Sequence, residues 1–316
     1  MVIEPKINKE ELQSFLSDAY NLEITEMIFI PRGECSWGYK IVTPDNLYFV
    51  KIYATLDVTE EAFQLTYDLY QKCGIKHIIH PLKTNAGEVR TVFQNYNLAI
   101  FNFVEGIVSA ETTLNDDQFE QLGELIGQIH MSTKILNPLT RKETFEFKND
   151  DYDRVMSSLS EGSEDSLVNE MKHLIQKHIT RITQEYDELK ALQKEISALE
   201  IPFVNCHGDP TPSNIMLTPQ GEVYLIDWDD PIYAPKEKDL VFLHHRNPAV
   251  MTGYAQETGI SDLNQTLLRF YEHKWNIEEI GGYGSLIMDS IHDDQKQRNY
   301  HMDGLKLTLN DMGISL

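Results

Sequence analysis

The chain has 316 residues, enough to bury a substantial core and to divide into two lobes. Its 41% hydrophobic and 24% charged residues are those of an ordinary soluble globular protein, and no run approaches eighteen apolar residues, so a membrane-spanning helix is excluded. A net charge of −23 argues against nucleic acid and membrane as partners and favours a small cationic ligand.

That acidity is uneven. Residues 1–100 carry 13 acidic and 9 basic side chains, a net of −4, which leaves −19 for residues 101–316. Solubility alone would also account for an acidic surface. The N-terminal run MVIEPKINKEEL is acidic and lacks the apolar core of a signal peptide, so the cytoplasm is the expected compartment. Cys35, Cys73 and Cys206 stand far apart without C-x-x-C spacing, which suits free thiols better than a disulfide framework or a zinc site.

In chain order, residues 8–20 read as an amphipathic helix with Asn8 as N-cap and Glu11 three residues on. Runs rich in β-branched and aromatic residues follow at 24–30, 39–42 and 47–53, the last two joined by the turn Pro44-Asp45-Asn46. A helix is expected at 59–72, closed by Gly74, then strands near 89–94 and 97–103. Together they predict a five-stranded antiparallel set around a helix. Beyond the segment FNFVEG (101–106) the pattern turns helical, at about 116–131, 164–199, 236–246 and 262–275. The near-heptad apolar residues of 164–199, from Leu167 to Leu199, fit two core helices of a bundle more simply than a coiled-coil seam.

One strand-rich island interrupts the helical part. Residues 204–230 read VNCHGDPTPSNIMLTPQGEVYLIDWDD, with polar residues placed where apolar strands end. Asp209 and Asn214 are five apart, as are the base and the metal-binding amide of the kinase catalytic loop H-R-D-x-x-x-x-N. Asp227 follows on the next hairpin as a second oxygen ligand. Phosphoryl transfer needs such groups: hard Mg²⁺ takes oxygen ligands such as Asn214 and Asp227, and a further carboxylate, Asp209, accepts or orients the hydroxyl proton.

These residues resemble the aminoglycoside phosphotransferase family of kinase-like enzymes, whose His-x-Asp, Asn and later Ile-Asp stand here as HGDPTPSN and LIDWDD. The likeness covers nearly the whole chain in the order of its elements, and IDWDDPIYAPKEKDL (226–240) looks closest to the spectinomycin phosphotransferase branch. It implies a bilobal, protein-kinase-like α+β fold: a β-rich, nucleotide-binding N-lobe at 1–103 and a mainly helical C-lobe at 104–316 with the catalytic loop and acceptor site. It implies ATP or GTP as donor, with Mg²⁺. Lys51 would contact the α/β-phosphates, with Glu61 as its ion-pair partner and Glu60 as a rival in the same turn. Asn102, Phe103 and Val104 would form the hinge that reads the adenine edge, and Asp239 would brace the catalytic loop, with His207 as a packed orienter.

The phosphate-covering loop departs from the kinase pattern. PRGECSWGY offers only Gly33 and Gly38 in place of G-x-G-x-x-G, which leaves Ser36 and the 33–37 backbone as its candidate ligands, unless the segment is a plain hairpin turn. Gly208 replaces the arginine that pairs with a phosphorylated activation loop, and only six residues separate Asp227 from Ala234-Pro235, so a peptide substrate has no platform. For the ammonium groups of an acceptor, Asp229, Asp230, Glu272, Glu278 and Asp293 are candidates, each weighed against an ordinary surface carboxylate. Trp228, Tyr233, Trp275 and Tyr283 offer ring faces, with core packing as the default.

The expected function is phosphorylation of a hydroxyl on an aminoglycoside or aminocyclitol antibiotic, spectinomycin foremost. A choline-, sugar- or amino-acid-type kinase of the same fold and a non-catalytic nucleotide-binding protein stand as alternatives. The complete Lys51, Asp209, Asn214 and Asp227 set argues against the last. Nothing in the pattern demands a particular oligomeric state.

Overall fold

Asn8 caps the first helix by accepting from the N–H groups of Glu10 and Glu11, and its own amide donates to Glu11 Oε1 at 2.8 Å. The computed structural model describes residues 4–32, 36–53, 59–292 and 295–314. After α1 (Lys9–Tyr20) come β1 (Glu26–Ile30), β2 (Ser36–Val42), β3 (Leu47–Tyr53), α2 (Glu60–Gln71), β4 (Thr91–Phe93), β5 (Tyr96–Asn102), β6 (Ile107–Val108) and α3 (Asp116–Met131). Next are α4 (Asp150–Ser158), α5 (Ser166–Lys177), α6 (Ile179–Ile196), β7 (Val204–Cys206), β8 (Ile215–Leu217), β9 (Val223–Leu225) and β10 (Ile232–Ala234). The chain ends with α7 (Glu237–Leu240), α8 (Ala249–Thr258), α9 (Gln265–Asp289) and α10 (Gln295–Asp311).

Two compact units emerge, residues 1–142 with 203–262, and residues 143–202 with 263–316. The first is built on the expected antiparallel sheet, in the order β1-β2-β3-β5-β4. Strand alternation sorts its side chains between two cores. Val50 and Ile52 of β3 and Leu98 and Ile100 of β5 join Leu12 and Leu16 of α1 on one face. On the other, Tyr53, Ala99 and Phe101 meet Phe63 of α2. Lys51, between Val50 and Ile52, therefore points to the α2 face, with Ala99 opposite it on β5.

Two small sheets complete this unit: β6-β8-β9, and β7 paired antiparallel with β10. The strands of the 203–228 island are as expected, but β6 and β10 are additional, being too short for periodicity to announce. Helix α3 matches its predicted span, whereas the helix expected at 236–246 shrinks to α7 followed by turns.

In the second unit, α9 packs against α4, α5, α6 and α10. The 164–199 stretch is two helices, α5 and α6, that meet at His178. Met171, Ile175, Ile182, Leu189, Leu192 and Ile196 are buried within the unit, as a bundle requires, while Leu199 is exposed. Its interior also holds a buried carboxylate: Glu185 accepts from His273 Nδ1 at 2.6 Å and Asn276 Nδ2 at 2.8 Å, and pairs with Arg181 at 2.9 Å. Among the described residues, no helix is long and apolar enough to cross a membrane.

Candidate active site

Strand β7 delivers His207, Gly208 and Asp209 into a turn that buried groups hold from below. Asp239 Oδ2 accepts from the His207 N–H and Oδ1 from the Gly208 N–H, both at 2.8 Å. His130 of α3 donates from Nε2 to Asp239 at 3.0 Å, and its Nδ1 accepts from the Tyr254 hydroxyl of α8. Burial pushes the Asp239 carboxyl up, but the bond from His130 and the charges and donors around it hold it below the usual range. It is therefore an anion bracing two backbone amides. Gly208 has φ +93°, and a Cβ there would lie 2.4 Å from the Asp230 carbonyl oxygen. Only glycine fits this crossing of strand ends.

His207 is fully buried. Its Nδ1 accepts from the Asp209 N–H at 3.2 Å and its Nε2 donates to the Ile226 carbonyl at 3.0 Å, so the ring ties together the two catalytic hairpins. Its orienting part thus has a geometric basis. Trp228 packs edge-on against that ring at 4.5 Å and is buried, which removes it from the candidate ligand platforms.

Asn214 ends a 3₁₀ turn, Pro212–Asn214, and its Nδ2 donates to both the carbonyl and Oδ2 of Asp209 at 2.9 Å. Its backbone carbonyl accepts from the Ile226 N–H at 2.9 Å, so Asn214 and Asp227 sit on adjoining hairpins. Asp209 Oδ1 is buried and has no hydrogen-bond partner. Burial pushes the Asp209 carboxyl up, and the nearby Asp227 and Asp239 charges add to that, against the pull of His207 and Lys238. A buried, partnerless carboxylate oxygen is costly and implies an occupant such as a hydroxyl or a water.

Asp227 follows β9 in the left-handed region, φ +64°, a strained position for a non-glycine residue. Lys51 Nζ donates to Asp227 Oδ1 at 2.5 Å and to Asp229 Oδ2 at 2.6 Å, and the Tyr53 hydroxyl donates to Asp229 Oδ1 at 2.9 Å. Burial works against the Lys51 charge, but the two carboxylates overcome it and raise the ammonium. Burial likewise opposes the Asp227 anion, and Lys51 wins, lowering that carboxyl. At Asp229 burial prevails and the carboxyl is raised. Asn214 and Asp227, on adjoining hairpins, offer an amide oxygen and a carboxylate, a donor set that fits Mg²⁺. By contrast, His130, Cys206 and Asp239, whose ligand atoms lie within 4.8 Å of one another, are committed to hydrogen bonds, with the Cys206 thiol facing the Val204, Ala234 and Pro235 carbonyls.

The structure thus brings Lys51, Asp209, Asn214 and Asp227 together in the first unit. Several other expectations need correction. Glu61 makes no ion pair with Lys51; its carboxylate accepts from the Thr140 N–H and hydroxyl at 2.6–3.0 Å. Its rival Glu60 pairs with Arg90 at 3.7 Å. Helix phase is the reason: α2 turns Ala62, Phe63 and Thr66 toward Lys51. Asp229, expected to meet acceptor ammonium groups, has both oxygens engaged by Lys51 and Tyr53. Asp230 is exposed and paired with Arg141.

Ser36 opens β2, half-buried opposite Tyr53, and Gly38 lies inside that strand, where a Cβ would stand 2.6 Å from the Phe49 ring. The strand reaches further into PRGECSWGY than its sequence suggests; residues 33–35 lie outside the described residues, as does Asp293. At the expected hinge, Asn102 accepts from the His80 N–H at 2.8 Å, the Phe103 ring lies under Lys40 at 4.8 Å and Val104 is half-buried. Glu272 and Glu278, like Trp275 and Tyr283, belong to α9 of the second unit. Sequence reasoning missed Tyr53, though its place two residues from Lys51 put it on the same strand face. It also missed His130, which had no signal at all.

The profile of the phosphotransferase enzyme family (APH) matches residues 30–273. The curated protein StrN of Streptomyces griseus is 24% identical over 272 residues, 83% of this chain and 80% of its own length. Among solved structures, a spectinomycin phosphotransferase in complex with ADP and spectinomycin superposes with a TM-score of 0.81 at 24% identity, covering 96% of this chain and 94% of that one. The choline kinase LicA of Streptococcus pneumoniae superposes with a TM-score of 0.58 at 13% identity, over 96% and 97% of the two chains.

Proposed function

The chain belongs to the phosphotransferase enzyme family, and on that premise we propose that it transfers the γ-phosphate of ATP or GTP to a hydroxyl of an aminoglycoside or aminocyclitol, spectinomycin-like antibiotic. The observation that carries the chemistry is a pair of contacts within the first unit: Asp209 held by Asn214, and Asp227 held by Lys51. Residues 1–103 form the nucleotide-binding part, with Asn102, Phe103 and Val104 as its hinge and Ser36 beside the phosphates. Residues 104–316 carry the catalytic loop and acceptor site.

The Asp209 carboxylate receives the proton of the acceptor hydroxyl as the hydroxyl oxygen attacks the γ-phosphorus. The bond from that phosphorus to the β–γ bridging oxygen breaks, and nucleoside diphosphate leaves. An Asp209 carboxyl raised by burial is a better base than an exposed aspartate, and Asn214 keeps its Oδ2 fixed. Lys51 offers its charge to the α/β-phosphates. Asn214 and Asp227 would hold Mg²⁺, which supplies charge neutralisation for the phosphates when bound.

Two observations favour an antibiotic acceptor: the whole-length likeness to a spectinomycin phosphotransferase, and the net charge of −19 over residues 101–316, which suits a cationic acceptor. Phosphorylation would add charge and bulk and so confer resistance, in the cytoplasm where nucleotide and Mg²⁺ are available. The test is an acceptor panel with Mg²⁺ and ATP or GTP, following nucleoside diphosphate release. Turnover with spectinomycin supports the reading. Turnover with choline or a sugar alone replaces the acceptor, and nucleotide binding without turnover on any acceptor refutes the kinase.

A further inference from the structure

We propose that Asp229, steadied by the Tyr53 hydroxyl, is the positioning residue that holds the Lys51 ammonium for the nucleotide, the part that the resemblance assigns to Glu61. It rests on the phosphotransferase reading above. The geometry closes a triangle: Lys51 donates to Asp229 at 2.6 Å, Tyr53 donates to the other Asp229 oxygen at 2.9 Å, and Lys51 Nζ stands 5.1 Å from the Tyr53 ring centroid. Tyr53 is itself fixed, buried and edge-on to Phe63 at 5.8 Å.

The need for such a residue follows from Asp227. A carboxylate that binds the metal gives its charge to that cation and cannot also be the sole partner of a buried lysine. Lys51 is buried, and its neighbours on α2 are Ala62, Phe63 and Thr66, none of which is ionised. The cavity they enclose with Lys51, Tyr53 and Asp229 is about 10 Å³, at the lower limit for one water. No solvent shell therefore compensates the ammonium there. Glu61 is committed to Thr140. Asp229 remains, with one oxygen on Lys51 and the other on Tyr53. Because it stands two residues from Asp227, it ties the strand lysine to the metal-binding loop rather than to a helix.

Steady-state kinetics on the intact chain test this. Asp229→Asn raises the nucleotide KM about tenfold or more, the size expected for losing a hydrogen bond to a charged group, and leaves the acceptor KM unchanged. Tyr53→Phe acts in the same direction with smaller effect, and Asp229→Glu restores part of the loss. Glu61→Gln leaves the nucleotide KM where it was. In a Lys51→Met background, Asp229→Asn has no further effect, because the carboxylate acts through the lysine. An unchanged nucleotide KM in Asp229→Asn, or a full effect that persists without Lys51, overturns the proposal. If Asp229→Asn fails to fold, an unchanged KM in Tyr53→Phe does so. Titration of the wild type with Mg-ADP separates the two levels: no binding strikes the phosphotransferase reading itself, whereas wild-type binding and turnover with an unaltered Asp229→Asn strike this inference alone.

Discussion

Replacing Asp209 by asparagine separates chemistry from folding. The amide would turn its oxygen toward Asn214 Nδ2, which now donates to Asp209 Oδ2 at 2.9 Å, and place its NH₂ where the buried Oδ1 has no partner. Shape is kept and the proton acceptor is lost. General-base catalysis of this kind contributes about 10²–10⁴ in rate, so kcat should fall by that factor, about 3–5 kcal/mol of barrier. Nucleotide affinity should be nearly unchanged, because Lys51 bonds to Asp227 and Asp229 and not to Asp209. Stability moves the other way. The Asp209 carboxyl is raised in the folded protein, so its contribution is fully present below the unfolded-state value and is lost as pH rises through the folded one. At neutral pH the folded chain therefore carries the cost of a buried anion, and the neutral amide should be no less stable than the wild type, within about 1 kcal/mol. The assays are nucleoside diphosphate release with a saturating acceptor, and thermal melts in chelator at neutral and acidic pH. A variant retaining near wild-type kcat, or one melting well below the wild type at neutral pH, would refute the reasoning.

Gly208→Ala should cost about 2–4 kcal/mol in denaturant unfolding, from a positive φ and a Cβ 2.4 Å from the Asp230 carbonyl; an unchanged midpoint would mean the crossing relaxes freely. Asp227→Asn should lower kcat/KM for the Mg-nucleotide by about 10²-fold or more, since it removes a metal oxygen and a Lys51 partner together. Chelation of divalent metal should abolish turnover, and Mg²⁺ alone should restore it; turnover in excess chelator would remove the metal from the reading. In the second unit, Glu185→Gln should destabilise by about 1–3 kcal/mol by weakening its bonds from His273 and Asn276. Burial opposes the Glu185 anion, yet its donors hold the carboxyl below the usual range, so its stabilisation is present above the unfolded-state value and fades as acid reaches the folded one. The variant should therefore show a flatter acid limb in melts against pH.

Local pattern made much of the fold legible. Alternation over Leu47–Tyr53 announced β3 and put Lys51 on one face, because side-chain direction in a strand depends only on odd or even position. Likewise the Asn8 cap and the span of α3 follow from signals within one or two turns. The elements that escaped were β6 and β10, two and three residues long, and the helices α4, α8 and α10. Short strands form when a partner strand is present, and their own residues carry no period to read.

At the site, the sequence by itself determined which groups the chemistry has available: a strand lysine, a loop carboxylate with an amide five residues on, and a strand-terminal aspartate. Their spacing along the chain is short, and short spacing constrains geometry. Pairing across long separations was decided only by the tertiary structure. Lys51 meets Asp229 across 178 positions and Glu61 meets Thr140 across 79; the first depends on the turn of the chain at Asp227, the second on the rotation of α2 about its axis. A helix rotates about 100° per residue, so neighbouring glutamates cannot be told apart until packing sets the phase. The buried His130 brace beneath the catalytic turn belongs to the same class: folding brings it to Asp239 from 109 residues away, and no local pattern records that meeting.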